Sequence, residues 1–289
     1  MANGILIIDK PMDWTSMDVC ARLRRCMNER RIGHAGTLDP MATGVLPVFL
    51  GRATRAVEFA TEGEKEYVAG LRLGVVTDTQ DTTGTVLQTT PVTVTRSQLE
   101  TVLMQFQGAI QQIPPMYSAI KIQGKKLYEL ARKGKEVERP PRSITIHALT
   151  IEEQLNETDF FLRVRCSKGT YVRTLCHDIG QALGCGGVMF SLRRTMAAGF
   201  SLEQSHPLSY VLEHPVPQSL LIGVDSYFSK YPPLSVSPSQ EKKIRNGAVL
   251  SFPSTPNGTY RVYGQDGTFL ALSRVEREHL TTIKSFYEV

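Results

Sequence analysis

Apolar positions in the first part of the chain follow both the period of a strand and the period of a helix. Residues 4–9 contain a continuous apolar run that predicts a buried strand, and the pair Lys10 and Pro11 ends it. Residues 16–30 carry an apolar side chain at every fourth position, which indicates one face of a helix. Residues 65–76 alternate between apolar and polar positions, as a strand does. The pattern therefore predicts a mixture of strands and helices.

Six later segments also have the composition of a helix or a strand. Residues 97–100 form a capping box that opens a helix, and Gly108 can close this helix. Further helices are predicted at residues 126–133 and 170–183. Strands are predicted at residues 117–122, 144–152 and 160–166.

The composition changes near Lys230, where the chain becomes rich in proline and serine. Residues 231–238 resemble a linker or the entry to a second domain. Beyond them the chain has short β-like runs separated by glycine-containing turns, which fit a small β-barrel or sandwich. We therefore expect a mixed α+β body over residues 1–230 and a small β domain over residues 231–289.

The bulk composition is that of an ordinary globular protein. The chain has 289 residues, of which 41% are hydrophobic and 21% are charged, so it can bury a proper core. The formal net charge of +5 permits a phosphate-bearing partner but does not require one.

The spacing of the cysteines and the hydropathy of the chain indicate the cellular compartment of the protein. The five cysteines include no pair with the two-residue spacing of a zinc or redox motif, so free thiols in a reducing cytosol are expected. The apolar run near the N-terminus is too short for a signal peptide or a membrane span, and no later stretch is long enough to span. The sequence thus predicts a soluble cytoplasmic protein.

One carboxylate lies in a segment that is rich in glycine, proline and threonine. Asp39 is flanked by Gly36 and Pro40, with Gly44 beyond, so a bent loop rather than a regular element carries it. Loops on rigid scaffolds often carry catalytic groups. An aspartate before a proline also commonly just begins a turn. The local pattern alone leaves both interpretations open.

The wider segment closely resembles the signature of the TruB-type pseudouridine synthases. This signature is HAGTLDPMATGVLP at residues 34–47. The similarity extends to Tyr67 in the second family motif and to residues 9–11, 115–121, 124–128 and 167–173. It covers nearly all of residues 1–200, and the tail from Pro232 is similar to a PUA-type RNA-binding domain. The resemblance implies a catalytic domain with a mixed, largely antiparallel sheet and a small C-terminal β-barrel.

The resemblance also implies a reaction and a partner. Family members isomerise the uridine at position 55 in the T arm of tRNA by cutting the C1′–N1 bond, turning the base and rejoining it through C5. No atom is lost, so no cofactor or metal is expected. The family aspartate, here Asp39, attacks C6 or C1′ or assists a glycal, and the sequence does not choose among them. We expect tRNA as the partner, with no membrane and no obligatory protein partner.

Two further residues take catalytic roles from the resemblance. Arg173 is expected to pair with Asp39 and keep it ionised through the nearby opposite charge. Tyr67 is expected to stack on the target base and to help remove the proton from C5. Taken by position alone, Arg173 could be a charge on a solvated helix face, and Tyr67 a half-buried strand tyrosine.

Four other residues are expected at the substrate. Tyr171 and Leu192 would shape the base pocket, although Leu192 fits a core position nearly as well. His34 would enter the T loop and fill the space that the flipped nucleotide leaves, which offsets a few kcal/mol of lost stacking. Asp81 is expected to hydrogen-bond near the substrate, and a plain turn aspartate is an equally good interpretation.

Several basic segments are candidates for phosphate contacts. They cover residues 22–31, 121–142, 193–194 and 242–245. A non-catalytic RNA-binding module and a synthase that needs guide RNA and protein partners are the rival functions. The sequence lacks the signature of a zinc-dependent deaminase and a complete phosphate loop, which disfavours both of those enzyme classes.

Overall fold

The computed structural model describes residues 2–122 and 124–287, which form seven α-helices and nineteen β-strands. The helices are α1 (Ser16–Met27), α2 (Val57–Glu62), α3 (Arg96–Gln105), α4 (Leu127–Ala131), α5 (Val172–Ala182), α6 (Leu208–Glu213) and α7 (Pro238–Arg245). The strands are β1 (Gly4–Lys10), β2 (Ile32–His34), β3 (Thr43–Leu50), β4 (Lys65–Leu73), β5 (Val75–Thr77), β6 (Val86–Thr89), β7 (Gly108–Gln112), β8 (Lys121–Ile122), β9 (Lys125–Lys126), β10 (Arg142–Gln154), β11 (Asp159–Cys166), β12 (Gly187–Ala197), β13 (Phe200–Ser201), β14 (His206–Pro207), β15 (Pro233–Ser235), β16 (Leu250–Ser251), β17 (Gly258–Tyr263), β18 (Phe269–Glu276) and β19 (His279–Ser285). None of the helices in these residues has the length and apolar character needed to cross a membrane.

A ten-stranded sheet forms the body, in the order β14-β1-β3-β12-β4-β11-β10-β7, with β2 added to β3 and β13 added to β12. Within the described residues, two pairs of this sheet are parallel, β1 with β14 and β3 with β12, and the other pairs are antiparallel. The expected mixed, largely antiparallel sheet is therefore confirmed. Strands β3, β12 and β4 are adjacent, although they come from distant parts of the sequence.

The alternation of side chains along β4 determines the face of the sheet on which the Tyr67 side chain lies. Tyr67, Ala69, Leu71 and Leu73 all point into one apolar cluster, which also takes side chains from α3 and α5. Because successive strand residues face opposite sides, this register places the Tyr67 side chain on the same face as α5. The strand ends one residue before Gly74, whose φ of 85° breaks the predicted single strand at residues 65–76 into β4 and β5.

The C-terminal residues form a separate five-stranded sheet, in the order β15-β17-β18-β19-β16, which curls into a half-barrel. The expected small β unit after the proline-rich segment is present. Its helix α7 was not predicted. Ser237 and Gln240 form a capping box at its start, and Pro238 occupies the first turn, so the signal for this helix was in the sequence.

An aromatic cluster joins the half-barrel to the body. The Phe228 ring centroid lies 5.4 Å from that of Phe59 and 5.6 Å from that of Phe286. Phe269 stacks on Phe286 at 5.1 Å. Residue 230 remains our proposed domain boundary, and these rings show that the two sides of that boundary share one core.

Two local predictions in the middle of the chain were wrong. The capping box of α3 is Thr95 with Gln98, so the helix begins at Arg96, two residues earlier than the predicted box at 97–100 implies. The predicted strand at 117–122 is reduced to β8. The Tyr117 carbonyl instead accepts a hydrogen bond from the Arg173 side chain, and it is therefore unavailable to a strand ladder.

We expect Phe228→Ala to lower the free energy of unfolding by about 3–5 kcal/mol, because it removes a buried ring from the joint core. Chemical denaturation followed by circular dichroism measures this loss. Met104→Ala is the control, since Met104 is exposed and its removal should change stability by less than about 0.5 kcal/mol. Equal stability of the two variants would contradict a shared core.

Candidate active site

The loop that carries Asp39 is held on both sides of that residue. The Ser16 hydroxyl accepts a hydrogen bond from the Leu38 N–H at 2.9 Å and lies 3.2 Å from the Leu38 carbonyl. The Lys10 ammonium donates to the Pro40 carbonyl at 3.2 Å. Both flanking peptide groups are therefore fixed, and the Asp39 side chain projects from a rigid backbone.

Gly44 closes the far end of this loop for a steric reason. It is the second residue of β3, lies opposite Arg194 of β12 and has a φ of 101°. A Cβ atom at this position would lie 2.2 Å from the Arg194 carbonyl oxygen. Both the backbone conformation and the close approach of the two strands therefore require glycine.

Asp39 shares one buried guanidinium with a second carboxylate. The Arg173 Nε lies 3.2 Å from Asp39 Oδ2, and its Nη1 lies 3.2 Å from Asp81 Oδ2. The Nη2 atom donates to the Tyr117 carbonyl at 2.8 Å. The Arg173 side chain is 7% exposed and that of Asp39 is 41% exposed. A carboxylate open to solvent on one side is thus held by a buried cation on the other.

Arg173 is placed by the start of α5, which a buried glutamine fixes. Gln112 Oε1 accepts the Tyr171 N–H at 2.8 Å, and Gln112 Nε2 donates to the Tyr171 carbonyl at 3.0 Å. Tyr171 is the N-cap of α5, and Arg173 is the second residue of the helix. Sequence reasoning missed Gln112, because its partner is 59 residues away and no local pattern indicates it.

Tyr67 lies in an apolar pocket beside the loop. It is 8% exposed and belongs to one cluster with Leu38, Ala42 and Leu192. Burial raises the pKa of Tyr67, and the Asp39 charge raises it further. The Arg194 guanidinium opposes this rise through its charge and through a hydrogen bond with the Tyr67 hydroxyl. The phenol is therefore neutral at pH 7 in the free protein.

The remaining predicted residues surround the same loop. Burial raises the pKa of Tyr171. His34 is half-buried at the end of β2, and burial, followed by the Arg194 charge, lowers its pKa, so the imidazole is neutral at pH 7. Asp81 is buried, and its Oδ2 atom pairs with Arg173. Its Oδ1 atom accepts hydrogen bonds from Thr79 and Thr83, so Asp81 also holds its own turn.

One predicted phosphate contact was wrong. Arg194 is 1% exposed, and its guanidinium donates to the Val45 and Gly36 carbonyls inside the protein. Arg193, its neighbour, faces the surface but pairs with Asp9 at 2.7 Å. The alternation of β12 explains the difference, because successive side chains of a strand face opposite sides. When two basic residues are adjacent in a strand, one of the two side chains therefore points into the protein.

Family models match most of this chain. The model of the TruB family pseudouridylate synthase N-terminal domain matches residues 24–172, and that of the tRNA pseudouridylate synthase B C-terminal domain matches residues 173–219. The chain belongs to the TruB family. It is therefore a pseudouridine synthase, which is an isomerase.

Relatives match over nearly the whole length of this TruB-family chain. It is 42% identical over 287 residues to the tRNA pseudouridine synthase B of Clostridium acetobutylicum, covering 98% of this chain and 99% of that protein. It is 43% identical over 265 residues to the tRNA pseudouridine synthase B of Azoarcus sp., covering 91% and 88%. A solved Cbf5–Nop10–Gar1 complex shares the fold, with a TM-score of 0.75 at 24% identity over 99% of this chain and 85% of that one.

We expect Arg173→Lys to slow pseudouridine formation by a factor of about 100–1000, the usual effect of losing one preorganised donor. Lysine keeps the charge but cannot reach Asp39, Asp81 and the Tyr117 carbonyl at once. Single-turnover assays measure the rate. Arg72→Lys is the matched control, because Arg72 forms a two-point pair with Asp159 at 2.9 and 2.7 Å elsewhere on the sheet. Similar rates in the two variants would contradict a role for Arg173 in pseudouridine formation.

Proposed function

We propose that this TruB-family enzyme, which isomerises uridine to pseudouridine in tRNA, acts at position 55 in the T arm and uses Asp39 as its essential catalytic carboxylate. The observation that carries the proposal is the half-exposed Asp39 carboxylate, held through one oxygen by the buried Arg173. This arrangement keeps the other oxygen, Oδ1, available to a substrate. A carboxylate that served only to begin a turn would need no buried cation behind it.

The isomerisation requires few groups beyond the Asp39 carboxylate and its arginine partner. The C1′–N1 bond breaks, a C1′–C5 bond forms, and the proton on C5 is replaced by one on N1. Electrons and atoms balance without an oxidant or a second substrate, and we propose that no cofactor takes part. Hydrolytic glycosidases need two carboxyl groups around a water molecule, whereas an isomerisation needs one nucleophile or base. Asp39 supports attack on C6, attack on C1′ and glycal formation equally.

We assign the surrounding side chains to the base and to the loop that holds it. Tyr67 stacks on the flipped uracil and takes the proton from C5. Tyr171 and Leu192 bound the base pocket, and Leu192 shares the Tyr67 cluster. His34 fills the space that the flipped nucleotide leaves, and its neutral imidazole suits insertion among bases. Asp81 acts near the substrate by orienting Arg173, to which its buried carboxylate is bound.

We propose tRNA as a partner that needs no guide RNA and no obligatory protein. The similarity over the full length of tRNA pseudouridine synthases supports this, whereas the similarity to the Cbf5 complexes shows the fold alone. Exposed arginines on and after α1, among them Arg22, Arg25 and Arg30, are candidates for phosphate contacts. Residues 231–289 are proposed as the PUA-like RNA-binding domain.

Changing Asp39→Asn should abolish pseudouridine formation and leave tRNA binding intact. Asparagine has nearly the same size but cannot act as a nucleophile or base and cannot form the ion pair with Arg173. The measurement is pseudouridine mapping on an unmodified tRNA transcript, together with filter binding. Mapping also tests the site, since product at a uridine other than position 55 would contradict the proposed target.

Asp13→Asn is the matched control for Asp39→Asn. Asp13 is exposed, lies close to the same loop and has a φ of 64°, which asparagine adopts readily. Its backbone N–H donates to the Pro40 carbonyl, and this bond survives the change. Full activity of Asp13→Asn beside an inactive, folded Asp39→Asn protein supports the assignment. Substantial turnover by Asp39→Asn would falsify it.

Tyr67→Phe should keep the ring and lose the hydroxyl. We expect tRNA affinity to stay near that of the unchanged protein, because stacking does not need the oxygen, and single-turnover formation of pseudouridine to fall sharply. Tyr227→Phe is the control, since Tyr227 packs in the aromatic cluster at the domain junction. Unchanged turnover in Tyr67→Phe would exclude Tyr67 as the group that takes the C5 proton.

A further inference from the structure

Arg194 is a buried cation directly beside the proposed base. In the register of β12 with β4, Arg194 lies opposite Tyr67, so the two side chains are cross-strand neighbours on the same face. The Arg194 Nε donates to the Val45 carbonyl at 2.7 Å, and Nη2 donates to the Gly36 carbonyl at 3.1 Å. The guanidinium lies close enough to the Tyr67 hydroxyl for each group to shift the pKa of the other. Arg194 therefore connects the catalytic loop to Tyr67.

The charge of Arg194 lacks a counterion among residues 2–122 and 124–287, where no carboxylate forms an ion pair with it. The cationic side chains of Lys10 and Lys65 lie close enough for the Arg194 charge to lower their pKa values. Burying an unpaired charge costs several kcal/mol. Two backbone carbonyls could be satisfied by a neutral amide, and they do not explain why a charged side chain stands here.

We propose that Arg194 is a positioning residue for Tyr67: its guanidinium donates a hydrogen bond to the phenol oxygen and stabilises negative charge on that oxygen, so that it can accept the proton from C5 of the rejoined base. The phenol first gives its proton to solvent, which leaves a phenolate that the Arg194 charge stabilises. The C5–H bond then breaks, the Tyr67 O–H bond forms again, and the electron pair left at C5 returns to the ring. N1 takes up one proton from solvent, so the number of protons is unchanged. The inference rests on the proposed function of Tyr67 as the base.

The groups around Tyr67 agree with this role. Besides burial, the titratable groups of neighbouring elements that raise the pKa of Tyr67 are Cys166 on β11 and Asp39 on the loop. The Cys166 thiol is itself neutral at pH 7, because burial raises its pKa to about 11. Arg194 on β12 is the neighbouring group that lowers the pKa of Tyr67. A guanidinium has no acceptor atom, so its contact with the phenol must use an oxygen lone pair, which orients the hydroxyl proton away from Arg194.

The test places 3-fluorotyrosine at position 67 and follows its ionisation by fluorine NMR. Arg194→Gln keeps a donor for the backbone carbonyls and removes the charge. We expect it to raise the pKa of residue 67 by at least about one unit, which lowers the ionised fraction about tenfold at neutral pH. The single-turnover rate should fall by a similar factor, and the rising limb of its pH profile should move to higher pH. Arg194→Lys keeps the charge, so it should change the pKa of residue 67 and the single-turnover rate less than Arg194→Gln does.

Arg72→Gln is the control, because it removes an arginine from β4 and breaks the pair with Asp159 without touching Tyr67. It should lower stability and leave the ionisation of residue 67 unchanged. A folded Arg194→Gln protein with an unchanged pKa at residue 67 and an unchanged pH profile would show a purely structural role and overturn the proposal. If Arg194→Gln does not fold, the same two measurements on Arg194→Met decide, because replacing a buried charge by an apolar side chain of similar length is often tolerated. This variant also removes the charge, so an unchanged pKa and profile there would overturn the proposal.

The outcome separates this inference from the proposed function. A displaced pKa at residue 67 in the Arg194 variants supports the coupling, whatever the enzyme does to RNA. If that displacement occurs while Tyr67→Phe turns over normally, the coupling exists but Tyr67 is not the base. If Tyr67→Phe is inactive and the Arg194 variants show no displacement, Tyr67 acts without help from Arg194, and the positioning role is wrong.

Discussion

A guanidinium that is removed from water needs hydrogen-bond acceptors in place of the lost water, and the way in which Arg173 meets this need organises the site. Its side chain is nearly buried, and it contacts Asp39, Asp81 and the Tyr117 carbonyl, which come from three separate segments. Losing one partner of such a buried group is expensive, since the others remain desolvated. The loop, the turn after β5 and the segment before β8 are therefore held in one arrangement by a side chain at the start of α5.

The sheet supplies the second constraint, through the order of its central strands. In β12 the residue Arg194 has Gly44 as its neighbour on β3 and Tyr67 as its neighbour on β4. This row brings together the end of the catalytic loop, a buried cation and the proposed base. A shift of one residue in either register would turn Tyr67 or Arg194 to the other face of the sheet. The strand order thus matters for the chemistry as well as for the core.

The sequence predicted the type of fold and the main elements of the site, and failed where distant residues decide the outcome. The apolar runs of β1, β4 and β11 and the helical period of α1 are local features, and they were found. Arg194 was a candidate for phosphate contacts as part of a basic segment, and only the register of β12 shows that its side chain faces inward. Gln112 gives no local signal at all. The helix α7 was missed, although its capping box was available to the same reasoning.

The two buried arginines of the site have opposite electrostatic environments. Arg173 is surrounded by two carboxylates, so the group of three carries a net negative charge that faces solvent through Asp39. Arg194 has backbone carbonyls and a phenol, so it remains positive behind that surface. A carboxylate alone would repel the phosphates of an approaching RNA and would disfavour negative charge on a neighbouring phenol. The uncompensated cation behind it reduces both effects, which lets a carboxylate and a proton-accepting tyrosine work side by side.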